Sequence, residues 1–247
     1  MGYKIALVTG AGKRLGAAIA KALAEDGLKV WVHFNRSADE AGETVDRIRA
    51  AGGEAEAVQF DLSDVDTLAT LVRGLGPIDV LVNSASVFDY DSADALDAGE
   101  MQRILTINLI APALLASVVA ESHTQRNSGC VINLLDQKLS NLNPDHFSYT
   151  LAKSGLATAT ETMAMQFAPR LRVVGISPGL TLPAPEMSEA EFHRLHVDNP
   201  MQGGSTPEDI VRAVRFILAS PAMTGETILV DGGEHLMRRG RDVSKGG

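Results

Sequence analysis

Three side chains in the second half of the chain have the types and spacing needed to move a proton. Tyr149 and Lys153 stand four residues apart in a run that favours a helix, so both lie on one helical face, and Asp136 precedes them. A tyrosine hydroxyl has an ordinary pKa near ~10, and we expect the Lys153 cation to lower it. Such a pair can protonate a carbonyl or imine while a hydride arrives from elsewhere. The alternative is a chance pair on a helix surface, because the pattern is short.

A glycine-rich turn near the N-terminus predicts where a hydride donor binds. Residues 4–16 begin as an apolar strand, pass through the turn and start a helix, and a second strand follows at 28–34. A strand, turn, helix and strand of this length are typical of dinucleotide-binding units. Gly10 and Gly16 allow backbone amides and the helix N-terminus to approach a pyrophosphate. A tight turn that binds no ligand is the alternative.

The end of the second strand indicates which dinucleotide. An NAD site places an acidic residue there, but residues 33–37 read His-Phe-Asn-Arg-Ser and the first acid is Asp39. Arg36, with Arg14 from the glycine turn, suits a 2′-phosphate. We therefore predict NADP(H), with a solvated Arg36 as the alternative.

Apolar runs and helix-forming runs alternate along the whole chain. This pattern predicts an α/β fold with a Rossmann-type, doubly wound, seven-stranded parallel sheet in a three-layer α/β/α single domain, 1–247. Ligands of such sheets bind beyond the carboxyl ends of the strands. Asp61, Asn83, Asp136 and Pro178 each follow a strand and are expected on that rim. Residues 180–205 are irregular and are predicted to form a mobile substrate flap.

Composition limits the classes of partner and the compartment. The 247 residues carry a net charge of −9, which argues against nucleic acid and anionic membranes as partners. Cys130 is the one cysteine and there is no signal-peptide pattern, so we expect a cytoplasmic protein. The uncharged stretch Ile104–Ala120 is shorter than a membrane span and is predicted to be a buried helix. With Phe147–Ala168 it offers apolar faces for a homo-oligomer, a tetramer or dimer.

Two smaller features are not expected to form functional sites. The histidines His193 and His196 lack the accompanying ligands of a metal motif, so no metal site is predicted. The basic tail, 234–247, is most simply a solvated terminus, although it has the length and charge to reach a neighbouring subunit or an acidic ligand.

Taken together, the motifs resemble the short-chain dehydrogenase/reductase family over nearly the whole chain. The matching segments, in the family's order, are Thr9-Gly10-x-x-x-Arg14-Leu15-Gly16, Asp61-Leu62, Asn83-Ser84-Ala85-Ser86, Asn108, Tyr149-x-x-x-Lys153, Pro178-Gly179 and Asp231-Gly232-Gly233.

Three departures from the general pattern resemble the family's pteridine reductase branch, which includes dihydromonapterin reductases. Arg14 replaces a glycine of the cofactor turn, Asn83-Ser84-Ala85-Ser86 replaces Asn-Asn-Ala-Gly, and Asp136 stands where a serine is expected. The branch's other matches are Phe88, His33 and Arg36-Ser37.

The resemblance implies an NADPH-dependent reductase that transfers a hydride to a C=N bond of a dihydropterin or dihydrofolate-like substrate. Tyr149 is then the proton donor, Asp136 assists proton supply, Lys153 holds the nicotinamide ribose, and Asn108 supports Lys153. Asp61 contacts the adenine. The implied cofactor contacts are Gly10, Lys13, Arg14, Leu15, Gly16, His33, Asn35, Arg36, Ser37, Asp61, Leu62, Asn83, Ser84, Ala85, Lys153, Pro178 and Gly179. The implied substrate contacts are Arg14, Ser86, Phe88, Asp136, Tyr149 and Leu180.

Other functions stay open on the sequence. A carbonyl reductase, for example of 3-oxoacyl thioesters or small ketones, is the commoner activity of this fold, and fold alone does not fix function. The missing serine also allows a non-catalytic NADP(H)-binding sensor, in which Asp136 has lost catalysis rather than changed it. Phe88 has an ordinary core position as its alternative role.

Overall fold

Seven strands form the centre of the molecule. The computed structural model describes residues 2–126, 128–184 and 187–243. The strands are β1 Ile5–Val8, β2 Lys29–Phe34, β3 Glu54–Gln59, β4 Val80–Asn83, β5 Gly129–Leu134, β6 Leu171–Pro178 and β7 Thr227–Val230. All pair in parallel, in the spatial order β3-β2-β1-β4-β5-β6-β7. This order confirms the predicted Rossmann-type fold.

Burial along the strands follows their position in the sheet. The central strands β4 and β5 are buried at every residue, as expected for a parallel sheet that is covered on both faces. The edge strand β7 has no buried residue and alternates between half-buried and exposed positions. The register aligns the carboxyl ends of the central strands, with Val8 opposite Val82 and Asn83 opposite Asn133. Loops that follow these strands therefore meet at one edge.

The described residues form eight α-helices, and six of them cover the two faces of the sheet. The eight are α1 Arg14–Glu25, α2 Ala38–Ala50, α3 Val65–Gly74, α4 Ala98–Leu105, α5 Ala111–Glu121, α6 Phe147–Phe167, α7 Glu189–His196 and α8 Pro207–Ala219. One core packs α1, α2 and α8 on the sheet through residues such as Ile19, Ile48 and Ile217. The other packs α3, α5 and α6 through residues such as Leu68 and Leu115. The result is the predicted three-layer α/β/α domain.

The helical stretch Ala98–Glu121, which contains the predicted buried helix Ile104–Ala120, is continuous but not uniform. Asp97 caps its start by accepting the Glu100 backbone N–H at 2.9 Å. A π-helical turn, Thr106–Ile110, separates α4 from α5. The helical stretch Ala98–Glu121 is apolar and long enough to cross a membrane by composition, yet 56% of its most apolar window is buried inside the protein. It packs as a core helix, as the sequence predicts.

Candidate active site

The loops at the carboxyl edge of the sheet enclose a cavity of about 530 Å³. Sixteen of the residues implied by the sequence line it together. They are Gly10, Lys13, Arg14, Leu15, Gly16, Ser37, Ser84, Ala85, Ser86, Phe88, Asp136, Tyr149, Lys153, Pro178, Gly179 and Leu180. The other seven are not in its lining. They are His33, Asn35, Arg36, Asp61, Leu62, Asn83 and Asn108.

Backbone geometry fixes the glycine turn at the first end of the cavity. Gly10 has a φ of +64°, and a Cβ there would lie 2.9 Å from the Ala85 Cα. A Cβ on Gly16 would lie 2.4 Å from the Gly10 carbonyl oxygen. The two positions therefore require glycine for close packing of the turn against α1 and the loop after β4. The Thr9 hydroxyl accepts the Ser84 and Ala85 backbone N–H groups, both at 3.0 Å, and so ties the two loops together.

His33 holds this turn from below and is not an exposed cofactor ligand, which corrects the sequence-based assignment. The side chain is only 2% exposed. Its Nδ1 accepts the Gly10 backbone N–H at 3.1 Å, so Nε2 carries the proton and donates to the Phe60 carbonyl at 3.0 Å. Burial lowers the His33 pKa to about 4, and the ring is therefore neutral. Sequence spacing placed His33 near the cofactor, but burial decides what it contacts.

Arg14 connects the glycine turn to the flap. Its guanidinium donates to the Pro183 carbonyl at 2.8 Å, and its backbone φ of +57° is unusual for a residue other than glycine. Arg14 is exposed and lines the cavity, so its charge remains accessible from the cavity.

The polar residues after β2 and β3 lie at the outer end, beyond the cavity lining. Arg36 is exposed there, and the Asp61 carboxylate accepts the Ser63 backbone N–H at 2.8 Å and hydroxyl at 2.7 Å. These hydrogen bonds, with a contribution from Asn35, hold the Asp61 pKa below its usual range. Leu62 is buried. These segments therefore present the Asp61 carboxylate, held by its hydrogen bonds, and the exposed Arg36 side chain beside the turn.

The side chains of Asn83 and Asn108 make their hydrogen bonds inside the protein. Asn83 is 2% exposed and donates to the Asn133 side chain at 2.8 Å, between neighbouring strands. Asn108, in the π-helical turn, is fully buried; its side chain accepts from Ser86 and bonds both backbone groups of Val87. Asn108 thus positions the loop that carries Ser86, and its support of Lys153 stays a prediction.

Asp136 and Tyr149 form a direct pair at the centre of the cavity. The Tyr149 hydroxyl donates to Asp136 Oδ2 at 2.7 Å, and Asp136 Oδ1 accepts the Lys138 backbone N–H at 2.8 Å. Burial raises the Asp136 pKa, against the opposing effect of these two hydrogen bonds. Burial, together with the Asp136 charge, also raises the Tyr149 pKa well above its ordinary value. Both groups therefore hold their protons more tightly than they would in water.

This result corrects the expectation that Lys153 lowers the Tyr149 pKa. The Lys153 ammonium donates to the Leu134 carbonyl at 2.7 Å and lies 5.7 Å from the centre of the Tyr149 ring. The Asp136 carboxylate is hydrogen-bonded to the tyrosine, so its effect outweighs that of the more distant ammonium. Burial lowers the Lys153 pKa to about 8, although Asp136 partly opposes the shift.

Phe88 stands at the open side of this pair. It is 44% exposed, which excludes an ordinary core position. Its ring stacks on His146, with centroids 3.8 Å apart, and meets the Tyr149 ring edge-on at 4.6 Å. An aromatic face held in this way is suited to a flat ligand.

The predicted flap contains a short helix, α7, and is joined to the cavity through Leu180. The Leu180 carbonyl accepts from His196 Nδ1 at 2.8 Å, and its N–H donates to Glu234 Oε2 at 3.2 Å. Pro185 and Glu186 of the predicted flap lie outside the described residues. His196 is thus a hydrogen-bonding residue of the flap.

Glu234 is a lining residue that the sequence reasoning missed. It is 5% exposed, and its Oε1 has no hydrogen-bond partner among the described residues. Burial raises the Glu234 pKa, and the negative charges of Asp136 and Asp231 add to the effect. A glutamate directly after Asp231-Gly232-Gly233, at the end of the last strand, was the available signal.

The C-terminal tail also lines the cavity, which corrects its interpretation as a solvated terminus. Asp242 and Val243 reach the lining, and Asp242 is 9% exposed. Arg241 forms a two-pronged ion pair with Asp145, at 2.6 and 2.9 Å. No local sequence pattern reveals a contact between residues 96 positions apart. Lys245 and the rest of 244–247 lie outside the described residues.

A parallel doubly wound sheet with a buried tyrosine and lysine at its carboxyl edge, beside a glycine turn, defines a dinucleotide-dependent oxidoreductase architecture. A family model described as short chain dehydrogenase matches residues 4–194. The chain belongs to this family, and it is an oxidoreductase.

Two solved structures and one curated relative are similar to this chain over nearly its whole length. FolM alternative dihydrofolate reductase 1 from Brucella canis, complexed with NADP, is 39% identical, with a TM-score of 0.89 and coverage of 97% of this chain and 96% of that chain. The Brucella suis FolM, also with NADP, is 40% identical with a TM-score of 0.89 and 96% coverage of each chain. A Synechocystis 3-oxoacyl-[acyl-carrier-protein] reductase is 32% identical, covering 93% of this chain and 96% of the relative.

Proposed function

We propose that the protein is an NADPH-dependent reductase that transfers a hydride to the C=N bond of a dihydropterin or dihydrofolate-like substrate. The observation that carries the proposal is the 2.7 Å hydrogen bond from the Tyr149 hydroxyl to the Asp136 carboxylate, at the position where the wider family places a serine. A serine hydroxyl steadies a ketone oxygen, whereas a carboxyl group passes protons and accepts from nitrogen-bound hydrogens.

NADP(H) is the cofactor that suits the first half of the cavity. The glycine turn offers backbone N–H groups at the start of α1 for a pyrophosphate, and Lys13 and Arg14 add positive charge. Arg36 is exposed where an NAD site has an acid, and it suits a 2′-phosphate. The cofactor supplies the hydride when bound. The FolM structures, which contain NADP, support this assignment.

Tyr149 is the proton donor, and Asp136 supplies its proton in turn. A donor must be protonated at the working pH, and the raised pKa of Tyr149 ensures this. Asp136 is within hydrogen-bonding distance of the tyrosine oxygen, and its raised pKa favours uptake of a proton from solvent, which it then passes to the tyrosinate. Lys153 retains its charge below about pH 8, so it stabilises negative charge that develops on Tyr149 as the proton leaves.

A flat, nitrogen-rich heterocycle matches the second half of the cavity. Phe88 offers an exposed ring face for stacking. Asp136 and Glu234 Oε1, which bonds no other group in the described part of the chain, are acceptors, and a pterin carries amino and ring N–H donors. Ser86, Arg14 and Leu180 complete the proposed substrate contacts.

The second candidate is a carbonyl reductase, favoured by the 32% identical Synechocystis 3-oxoacyl reductase. The Tyr149–Lys153 pair alone is compatible with that reaction, because a ketone oxygen also needs only one proton donor. The pairing of Asp136 with Tyr149 is what weighs against it.

We further propose that the protein works in the cytoplasm as a homo-oligomer, a tetramer or dimer. Apolar side chains remain exposed on the two helices that the sequence singles out for self-association. They are Ile110, Leu114, Leu151 and Met165. Apolar side chains exposed on two helices that contact each other are of the type found at subunit interfaces.

The test is the NADPH oxidation rate at 340 nm with dihydrobiopterin, dihydromonapterin and dihydrofolate, beside acetoacetyl thioester and simple ketones. NADH serves as the cofactor control. Turnover of the pterins well above the ketones supports the proposal. Turnover of ketones alone would contradict the proposal and favour the carbonyl reductase. Tight NADPH binding without turnover of any substrate would favour the non-catalytic NADP(H)-binding sensor.

A further inference from the structure

The last described residues of the chain, 237–243, return to the cavity at their end. This segment, which we name the C-terminal strap, follows the short 3-10 turn Glu234–Leu236. The Asn141 side chain donates to the Met237 carbonyl at its start, and Asp242 and Val243 line the cavity at its end. The strap therefore begins beside the loop after β5 and ends at the site.

Side-chain ion pairs fasten the strap on two sides. Arg239 donates to the Asp198 carbonyl at 2.6 Å and to its carboxylate at 3.0 Å, on the flap side. Arg241 binds Asp145, which is 1% exposed, with two hydrogen bonds on the side of α6. A planar guanidinium fits a carboxylate in this two-pronged way with high geometric specificity. The strap thus joins the flap to the segment that leads into the tyrosine helix.

Asp242 is the point at which the strap reaches the reacting groups. Its backbone N–H donates to Asp145 at 2.8 Å, and its carboxylate accepts from the buried Lys138 ammonium at 3.2 Å. The backbone N–H of Lys138 in turn donates to Asp136. The Asp242 charge raises the pKa of both Asp136 and Tyr149. Lys138 is thus the residue that connects Asp242 of the strap to the Asp136–Tyr149 pair.

We propose that the C-terminal strap is the outer wall of the substrate half of the cavity in its own subunit, and that Asp242 is a positioning residue for the Asp136–Tyr149 pair. The wall limits how far a substrate side chain extends from the reacting ring. This role goes beyond the proposed substrate and holds equally for a pterin or a ketone.

The experiment compares Arg241→Ala and Asp242→Asn with Arg238→Ala in the full chain. Arg238 is an exposed arginine on the same strap, with no ion pair among the described residues, and is the matched control. Arg241 is itself on the surface, with 55% of its side chain exposed, but its truncation removes the partner of the buried Asp145 carboxylate, so the fold of each variant is checked directly. The Kd for NADPH and the melting temperature are measured for each variant.

The first readout is substrate size selectivity. The substrates are a short and a long member of whichever class the wild type reduces: dihydrobiopterin and dihydrofolate, or acetoacetyl and longer 3-oxoacyl thioesters. Arg241→Ala is expected to raise the KM for the short substrate about tenfold, the scale of one lost charge-assisted interaction, and to raise the long-to-short ratio of kcat/KM. The NADPH Kd stays unchanged. If the wild type reduces ketones only, the proposed function fails while the strap is still tested.

The second readout is the pH profile of kcat/KM for Asp242→Asn. The groups that face Asp242 include Lys138, Asp145, Asp136 and Tyr149, and removing its charge is expected to move the profile of the pair to lower pH. A purely structural strap leaves the profile in place. The proposal is overturned if Arg241→Ala and Asp242→Asn behave as Arg238→Ala does, or if they weaken NADPH binding as much as substrate binding.

Discussion

The two halves of the cavity are built in different ways. The cofactor half is made largely from backbone: a glycine turn with no room for a Cβ, a buried histidine beneath it, and hydrogen bonds that the Thr9 hydroxyl accepts from the loop after β4. The substrate half is made from charged side chains on segments far apart in the chain, with Asp136, Glu234 and Asp242 meeting around Tyr149. One half is shaped by close packing and the other by pairing of charges.

This difference determines what a substitution does in each half. In the cofactor half most contacts are to backbone groups, which every residue carries. A substitution there acts mainly through the shape of the new side chain rather than through its charge. In the substrate half each carboxyl perturbs the proton affinity of the next, so a single charge alters chemistry without altering the fold. Effects on NADPH binding and effects on proton transfer should therefore separate cleanly between the two.

The largest effect is expected from Tyr149→Phe in the substrate half. Removing the proton donor should lower kcat by about 10²–10⁴, the usual contribution of general acid catalysis, while the Kd for NADPH stays within error. The measurement is single-turnover NADPH oxidation beside fluorescence titration of NADPH. Equal loss of both properties would show that the halves are not independent.

The next effect tests the histidine beneath the glycine turn. His33 has a pKa of about 4 in the fold and an ordinary value of 6.5 when unfolded, so the folded state binds fewer protons between these values. Stability from this group is present above pH 6.5 and is lost as the pH falls towards 4, by about 3 kcal/mol. Urea unfolding at several pH values measures the slope.

His33→Asn keeps an acceptor for the Gly10 amide and does not titrate, so its unfolding free energy should depend less on pH than that of the wild type. His193→Asn, on the exposed side of α7, is the control and should leave the slope unchanged. An unchanged slope in His33→Asn would contradict the assignment of His33 as a buried neutral support.

A smaller effect is expected from Arg36→Ala at the outer end of the cofactor half. Loss of one charge-assisted contact to a 2′-phosphate, about 1.5–3 kcal/mol, should lower the NADPH-over-NADH preference roughly 10- to 100-fold without changing the kcat with saturating NADPH. Arg47→Ala, an exposed arginine paired with Glu43 on α2, provides the comparison. An unaltered preference would return Arg36 to a solvated surface residue.

The sequence predicts the cofactor half better than the substrate half, for the same physical reason. Gly10, Gly16 and the apolar runs of the strands act locally, so spacing along the chain suffices, and the second strand, predicted at 28–34, is observed as β2 at Lys29–Phe34. Burial of His33 and Asn108 depends on tertiary packing and cannot be read from spacing. The ion pair of Arg241 with Asp145 and the position of Asp242 depend on contacts about a hundred residues apart.

The proton affinity of Tyr149 was also beyond sequence reasoning. The Tyr-x-x-x-Lys spacing predicts a lowered pKa, but the hydrogen bond to Asp136 and the burial of the ring raise it. The distances from Tyr149 to the Asp136 carboxylate and to the Lys153 ammonium decide the direction of the shift, and they exist only in the folded protein.

The most direct measurement of the central claim is kcat/KM of Asp136→Ser on a dihydropterin and on a 3-oxoacyl thioester, with Asp136→Asn as the isosteric control. If Asp136 supplies protons to Tyr149, both variants should lose pterin reduction about 100-fold, and Asp136→Ser should retain or gain carbonyl reduction. Pterin reduction at the wild-type rate in Asp136→Ser would contradict the account, because the carboxyl group would then have no part in the reaction.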